Sequence, residues 1–177
     1  MRVIAGNLGG RQFDSPKGHR THPMADRVRG GLFNSLGDIS GLTVLDAFAG
    51  SGALSFEAVS RGAENAVAID IDKGAYQALA NNISKLGIKD RVMATQANVS
   101  SWSNNNEQLQ FDLVFTAPPY DSLQLSVVQK LARHVKKGGL YVLDWPGNLE
   151  PPLIESLDQI KQLGYGDAQL VFYRKTE

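Results

Sequence analysis

Four groups of residues in this chain have types and spacings that can do chemistry. Asp46 stands before a turn of small residues, Ala47-Phe48-Ala49-Gly50-Ser51-Gly52, and Asp70 follows 24 residues after it. Gly50 and Gly52 open backbone conformations closed to other residues and let a ligand come close to the main chain. If a helix starts after that turn, its first free amides, near Ala53 to Phe56, favour an anionic group such as a carboxylate or phosphate. A carboxylate at Asp70 can accept bonds from two adjacent hydroxyls of a ribose. Ala117-Pro118-Pro119-Tyr120 pairs an aromatic face with a stiff turn whose carbonyls are free of ladder bonding. Arg2, Arg11, Arg20, Arg27 and Arg29 crowd the N-terminus, where guanidinium groups suit phosphates and carboxylates.

These groups need elements to position them. Leu42 to Leu45 is apolar and rich enough in β-formers to read as a buried strand, so Asp46 lies at its tip. Leu54, Ala58 and Val59 recur at helical spacing, and Arg61-Gly62-Ala63 ends that helix. Ala66 to Asp72 is a second strand, with Asp72 as the N-cap of a helix from Lys73 to Leu86 that Gly87 closes. Arg91 to Thr95 is a third strand, with Gln96, Ala97 and Asn98 at its carboxyl end. Ser100 to Gln110 reads as a polar connection in which Trp102 packs. Phe111 to Thr116 is the fourth strand, Leu123 to Arg133 a helix stopped by Gly138-Gly139, and Leu140 to Asp144 the fifth strand. Ile160 to Tyr165 and Ala168 to Arg174 form a closing antiparallel pair. Ahead of all this, Gly6 to Gly9 marks a small hairpin, Ser15 to His22 a loop, and Val28, Leu32, Phe33 and Leu36 a helix from about Ala25. The alternation predicts an α/β, doubly wound sheet, with ligands at the carboxyl ends of its strands.

Composition narrows the classes. With 177 residues the chain is long enough for one domain with a sizeable core. It has no cysteine, which excludes disulfides and thiolate metal sites. His19, His22 and His134 lack metal-ligand spacing and read as surface residues, so no metal is expected. The N-terminus lacks a signal-peptide pattern and no apolar run approaches a membrane span, so a cytoplasmic, membrane-free protein is expected. Net charge is zero, but residues 1–30 hold six basic and two acidic residues, a net +4, against −4 for the rest. A basic arm on an acidic body suits an anionic partner.

Asp-x-Phe-x-Gly-x-Gly, from Asp46 to Gly52, resembles motif I of class I S-adenosylmethionine (SAM) methyltransferases. The dinucleotide fingerprint would need a third small residue where Ser55 stands. The phrase Leu-Asp-Ala-Phe-Ala-Gly-Ser-Gly-Ala-Leu and the segment Pro23-Met-Ala-Asp26-Arg27-Val28-Arg29 are similar to the RsmD-like branch, which methylates a guanine N2 of bacterial 16S ribosomal RNA. The resemblance covers nearly the whole chain. It implies a Rossmann-like seven-stranded sheet with one antiparallel strand. Residues 1–36 would be a basic extension of hairpin, loop and lid helix, and residues 37–177 the methyltransferase domain, in one compact unit. It implies that SAM, leaving as S-adenosylhomocysteine, lies against Asp46, Ala47, Phe48, Gly50, Ser51, Gly52, Asp70, Ile71, Ala97 and Asn98. Asp70 would take the ribose and Ile71 the adenine face. Gln96 and Asn98 both remain candidates for the adenine amino group. The five arginines named above would grip the RNA, or the assembling small subunit, with the protein acting as a monomer.

The resemblance also gives Ala117, Pro118, Pro119 and Tyr120 the catalytic place, and here the chain departs from the pattern. Related enzymes that methylate exocyclic amines carry Asp or Asn where Ala117 stands, to accept bonds from the amino hydrogens. Alanine has no acceptor, and loss of one preorganised polar group typically costs on the order of 10²–10³ in rate. Three readings are open: a substituted and inactivated enzyme, a relative with weakened or relocated catalysis in which Asp121 substitutes, or a binder of SAM and RNA without catalysis. A nicotinamide-dependent oxidoreductase is a more distant alternative.

Overall fold

The computed structural model describes residues 1–17 and 24–176. Its element order is α1 (Asp26–Leu36), β1 (Thr43–Asp46), α2 (Ala53–Ser60), β2 (Asn65–Asp70), α3 (Lys73–Leu86), β3 (Val92–Gln96), α4 (Val99–Asn105), β4 (Phe111–Thr116), α5 (Leu125–Leu131), β5 (Val135–Pro146), β6 (Leu157–Tyr165) and β7 (Ala168–Lys175). The seven strands lie in the order β3-β2-β1-β4-β5-β7-β6. β3, β2, β1, β4 and β5 run parallel, while β7 is antiparallel to both β5 and β6. This is the doubly wound, class I methyltransferase arrangement expected from the strand and helix alternation. The order reverses at β1 and β4, so their carboxyl ends diverge into a crevice.

Both faces of the sheet are covered, which is why its central strands are apolar on both sides. Val44, Ala66, Ala68, Leu113, Phe115, Val142 and Phe172 point to one core, shared with α1, α2 and α3. Leu45, Ile69, Val114, Tyr141, Leu143, Val171 and Tyr173 point to the other, shared with α4 and α5. The period of 2 along each strand divides the two cores.

α2 is buried along its whole length, including Ser55, Glu57 and Ser60. The N-terminal segment covers its outer side. Ile4 and Ala5 donate backbone N–H bonds to the Glu57 carboxylate (2.8 and 3.0 Å). Leu8 donates to Ser60 Oγ and Asn7 to the Ser60 carbonyl, each at 2.9 Å. Gly6 has φ +83°, and a Cβ there would stand 1.9 Å from the Ser60 carbonyl oxygen. Val3, Phe13, Leu32 and Phe33 join the core of the sheet directly.

The expected N-terminal hairpin is present as a short strap over α2: Arg2 bridges Gln12 antiparallel, Val3 N donates to the Arg11 carbonyl (2.9 Å), Gly10 N to the Val3 carbonyl (2.8 Å) and Phe13 N to the Met1 carbonyl (3.0 Å). The structure corrects three expectations about elements. The supposed polar connection after β3 contains α4, capped by Asn98 and anchored by buried Trp102. Gly138-Gly139 ends no helix. α5 closes through one 3-10 turn at Ala132–His134, and the glycines form a bulge inside β5, where the register with β4 shifts between Phe111 and Leu113. Lastly, His134 is wholly buried rather than on the surface. Its Nδ1 lies 2.7 Å from the Leu109 carbonyl and its Nε2 2.8 Å from Ser103 Oγ, a pairing that holds the neutral ring and joins α4 to the start of β5. His19 and His22 lie outside the described residues.

Candidate active site

The crevice is built from the turn after β1. Ala47 donates to the Phe115 carbonyl (3.0 Å) and Ala49 to the Ile69 carbonyl (2.9 Å), so the chain is tied to β4 on one side and β2 on the other. Gly52, at φ +91°, leads into α2; a Cβ there would lie 2.4 Å from the Phe56 ring and 2.6 Å from Leu79. The glycine is therefore required by sterics and by backbone angle together. The first amides of α2 have no partner within the helix and face the crevice mouth.

Two carboxylates flank this turn. Asp46 is buried and accepts from Ser55 Oγ at 2.8 Å. Burial pushes its carboxyl up to about 7, against the pull of the Ser55 bonds. Asp70, at the tip of β2, accepts from Gly50 N (2.9 Å) through one oxygen and from Asp72 N (2.9 Å) through the other. Partial burial raises its pKa despite those bonds. Asp70 thus clamps the turn, and each of its oxygens keeps acceptor capacity beyond these two bonds. Ile71, beside it, is 63% exposed, an apolar surface at the mouth. Asp72 caps α3 by accepting from Ala75 N (2.8 Å).

At the end of β3, Ala97 donates to the Asp70 carbonyl (3.1 Å) and Asn98 Oδ1 accepts from Ser101 N (3.0 Å). Asn98 is thereby committed through its oxygen to capping α4, and Gln96 is exposed on the strand tip. Phe48 and Ser51 complete the turn, and the Ser51 carbonyl accepts from the buried Asn82 side chain (3.2 Å). Asn82 also exchanges two bonds with the backbone of Asp14 (2.9 and 2.8 Å), joining the strap to the crevice.

Opposite lies Ala117-Pro118-Pro119-Tyr120, directly after β4. Pro118 is buried, and Pro119 and Tyr120 are exposed. Tyr120 Oη donates to Asp144 Oδ1 (2.5 Å) and lies 3.1 Å from the Trp145 carbonyl, so its ring is held across the end of β5. Burial raises the pKa of Asp144, and the Tyr120 hydroxyl opposes the shift. Asp144 was not among the site residues expected from the sequence. It reads there as a strand end; only β4–β5 pairing brings it beside the proline turn.

The basic arm is divided. Arg2, Arg11 and Arg27 are exposed, and Arg20 lies outside the described residues. Arg11 donates to the Leu86 and Lys85 carbonyls at the end of α3, and Arg27 lies over the Tyr165 ring at 6.0 Å. Arg29 is a correction. It is fully buried, donates to the Arg2 carbonyl (2.7 Å) and Asp26 (3.0 Å), and approaches Glu57 at 3.8 Å, so it cannot meet RNA. Among the described residues no helix is long and apolar enough to cross a membrane, and no group of three metal-ligating side chains converges.

A family described as Conserved hypothetical protein 95 matches residues 1–174. The chain belongs to this family. YlbH of Bacillus subtilis is 30% identical over 182 residues, spanning 99% of each chain. Ribosomal RNA small subunit methyltransferase D of Escherichia coli is 35% identical over 121 residues, spanning 68% of this chain and 60% of its own length. The solved structure of YhhF from Escherichia coli superposes with a TM-score of 0.88 at 28% identity, covering 99% of this chain and 98% of that one. The family is thus the RsmD-like methyltransferases, and membership supports methyl transfer over hydride transfer for this crevice.

Proposed function

We propose that this protein transfers a methyl group from SAM to the exocyclic N2 of a guanine in small-subunit ribosomal RNA. One juxtaposition carries the reading. The glycine turn after β1 and the Ala117–Tyr120 turn after β4 lie side by side on neighbouring parallel strands, with Asp46 in register with Phe115. A cofactor on the first turn and a base on the second would meet in one crevice. The name of the Escherichia coli relative supports the RNA class of substrate.

The residues fit SAM. Gly50 and Gly52, both at positive φ, leave a cradle of bare backbone after β1, and Asp70 offers lone pairs suited to ribose hydroxyls. Ala47, Phe48, Gly50 and Ser51 line the cradle, the α2 amides suit the carboxylate, and Ile71 gives the adenine an apolar face. Ala97 and Asn98 close the far side, where Asn98 Nδ2 remains for a ring acceptor once Oδ1 caps α4. When bound, SAM supplies a methyl on an activated sulfonium. The chain's own work is placement. Tyr120 offers a fixed ring face for an unstacked base, and the Pro118 carbonyl can accept from the amine. Arg2, Arg11, Arg20 and Arg27 add charge for RNA phosphates.

The test is transfer from labelled SAM to unmodified small-subunit rRNA and to the assembled particle, with the product mapped by mass spectrometry. Label at a single guanine N2 is the expected result. A specific observation, the missing acceptor at Ala117, favours a second reading as a SAM and RNA binder without catalysis; binding of both with no transfer would select it.

A further inference from the structure

Ala117 removes an acceptor, but the sheet places another next to it. β4 and β5 pair in parallel with Thr116 opposite Leu143. One step further along each strand stand Ala117 and Asp144, about 4.8 Å apart in the pairing direction. Side chains alternate, so Ala117 follows Phe115 and Asp144 follows Val142 on the same face. The surroundings agree: one small cavity is lined by Phe115, Ala117, Val142 and Asp144 together, with Met24 and Leu54 closing it. Ala117 brings no acceptor to that lining, and Asp144 is the carboxylate in it. Asp144 Oδ1 is held by Tyr120 Oη, while among the described residues no donor reaches Oδ2. Asp121 is the poorer substitute. The turn closed by Ser122 N on the Pro119 carbonyl (2.9 Å) leaves it exposed.

We infer that Asp144 is the catalytic carboxylate of this chain, accepting through Oδ2 a hydrogen of the target amine in place of the residue missing at position 117. The inference rests on the proposed methyl transfer to an exocyclic amine. In that step the nitrogen lone pair forms the new N–C bond and the S–C bond breaks, its electron pair leaving on the sulfur of S-adenosylhomocysteine. The nitrogen becomes cationic and loses one proton, which Asp144 accepts and returns to water. Tyr120 holds both ends of this arrangement: its ring meets the base and its hydroxyl orients the carboxylate.

The experiment compares the wild-type chain with Asp144→Asn, Ala117→Asp and the double variant, in single-turnover transfer to small-subunit rRNA. Asp144→Asn is expected to lower the rate by roughly 10²–10³-fold, and adding Ala117→Asp to restore most of it. Melting curves and SAM affinity report whether each variant is folded. A binding readout accompanies it, using an rRNA fragment with inosine, which lacks the N2 amine, at the mapped position. The wild type should bind the guanosine fragment about tenfold tighter than the inosine one, and a further variant, Asp144→Ala, which leaves no acceptor at the position, should lose that preference. Equal rates for wild type and Asp144→Asn would overturn the inference while leaving the function in place. So would activity seen only with Ala117→Asp, or a Tyr120→Phe loss equal to and non-additive with that of Asp144→Asn, which would make the carboxylate a holder of the ring. No transfer by any form, with SAM bound, would overturn the function and the inference together.

Discussion

Asp46 and His134 are both buried ionisable groups, and they shift in opposite senses. Asp46 is raised from 3.8 to about 7 by burial, so the folded protein binds its proton more tightly than the unfolded chain. Its neutral form is the favourable one, and that stability is present below the unfolded value and lost as pH rises through about 7. At about 1.4 kcal/mol per unit, wild type should lose roughly 2–3 kcal/mol relative to Asp46→Asn between pH 5 and pH 8. Urea unfolding at several pH values checks this; parallel curves would refute it. His134 is lowered, chiefly by burial. Its contribution is present above the ordinary histidine value and lost as pH falls below it. The wild type should therefore weaken on acidification in a way that His134→Gln does not, read from the same titration.

At the scale of elements, α2 is held from both ends by its polar residues. The Glu57 carboxylate accepts from Ile4 N, Ala5 N and Arg61 Nε (2.8 Å), and lies beside buried Arg29. Replacing it with alanine orphans two backbone donors and leaves a buried guanidinium with less compensation. Loss of one partner from such a site typically costs about 3–5 kcal/mol. Glu57→Ala should show that loss in chemical unfolding, with Gln recovering part of it through the strap amides. Since α2 carries the first amides of the crevice, SAM affinity measured by calorimetry should fall with it. An effect on stability below about 1 kcal/mol would mean that the strap is held by packing of Val3 and Phe13 alone. The same elements explain why motif I was legible early. A buried strand, a glycine turn and an apolar helix are local patterns, and Gly52 answers to its neighbours Phe56 and Leu79. α4 was not legible, because its helix rests on the Asn98 cap and on Trp102 packing rather than on an apolar stripe.

Across the whole molecule, charge is distributed differently from its distribution in sequence. The first thirty residues read as one basic arm, yet Arg29 is committed to the interior, and Arg11, though exposed, also holds the end of α3. The exposed Arg27 should contribute to RNA affinity and to its salt dependence. Arg27→Ala is expected to weaken binding and reduce the slope of log affinity against log salt by about 1. Arg29→Ala should lower the melting temperature and leave that slope unchanged in protein that remains folded. Filter binding across a salt series separates the two; a changed slope for Arg29→Ala would overturn its assignment to the interior.

What the sequence determined by itself was local and periodic. Strand and helix alternation, the Asp46–Gly52 turn, the Asp72 and Gly87 caps and the closing antiparallel pair follow from short-range sterics and from the two periods of side-chain placement. Tertiary structure decided what depends on distant partners. His134 became interior because α4 offers it Ser103, and Arg29 because the strap and α2 supply acceptors for its guanidinium. The proline turn shows the division most clearly. Ala117 was visible as a departure at one position, but Asp144 lies 27 residues away and becomes its neighbour only when β4 and β5 pair in register. A carboxylate has no local signature of its role; hydrogen-bonded strands separated along the chain have to bring it there.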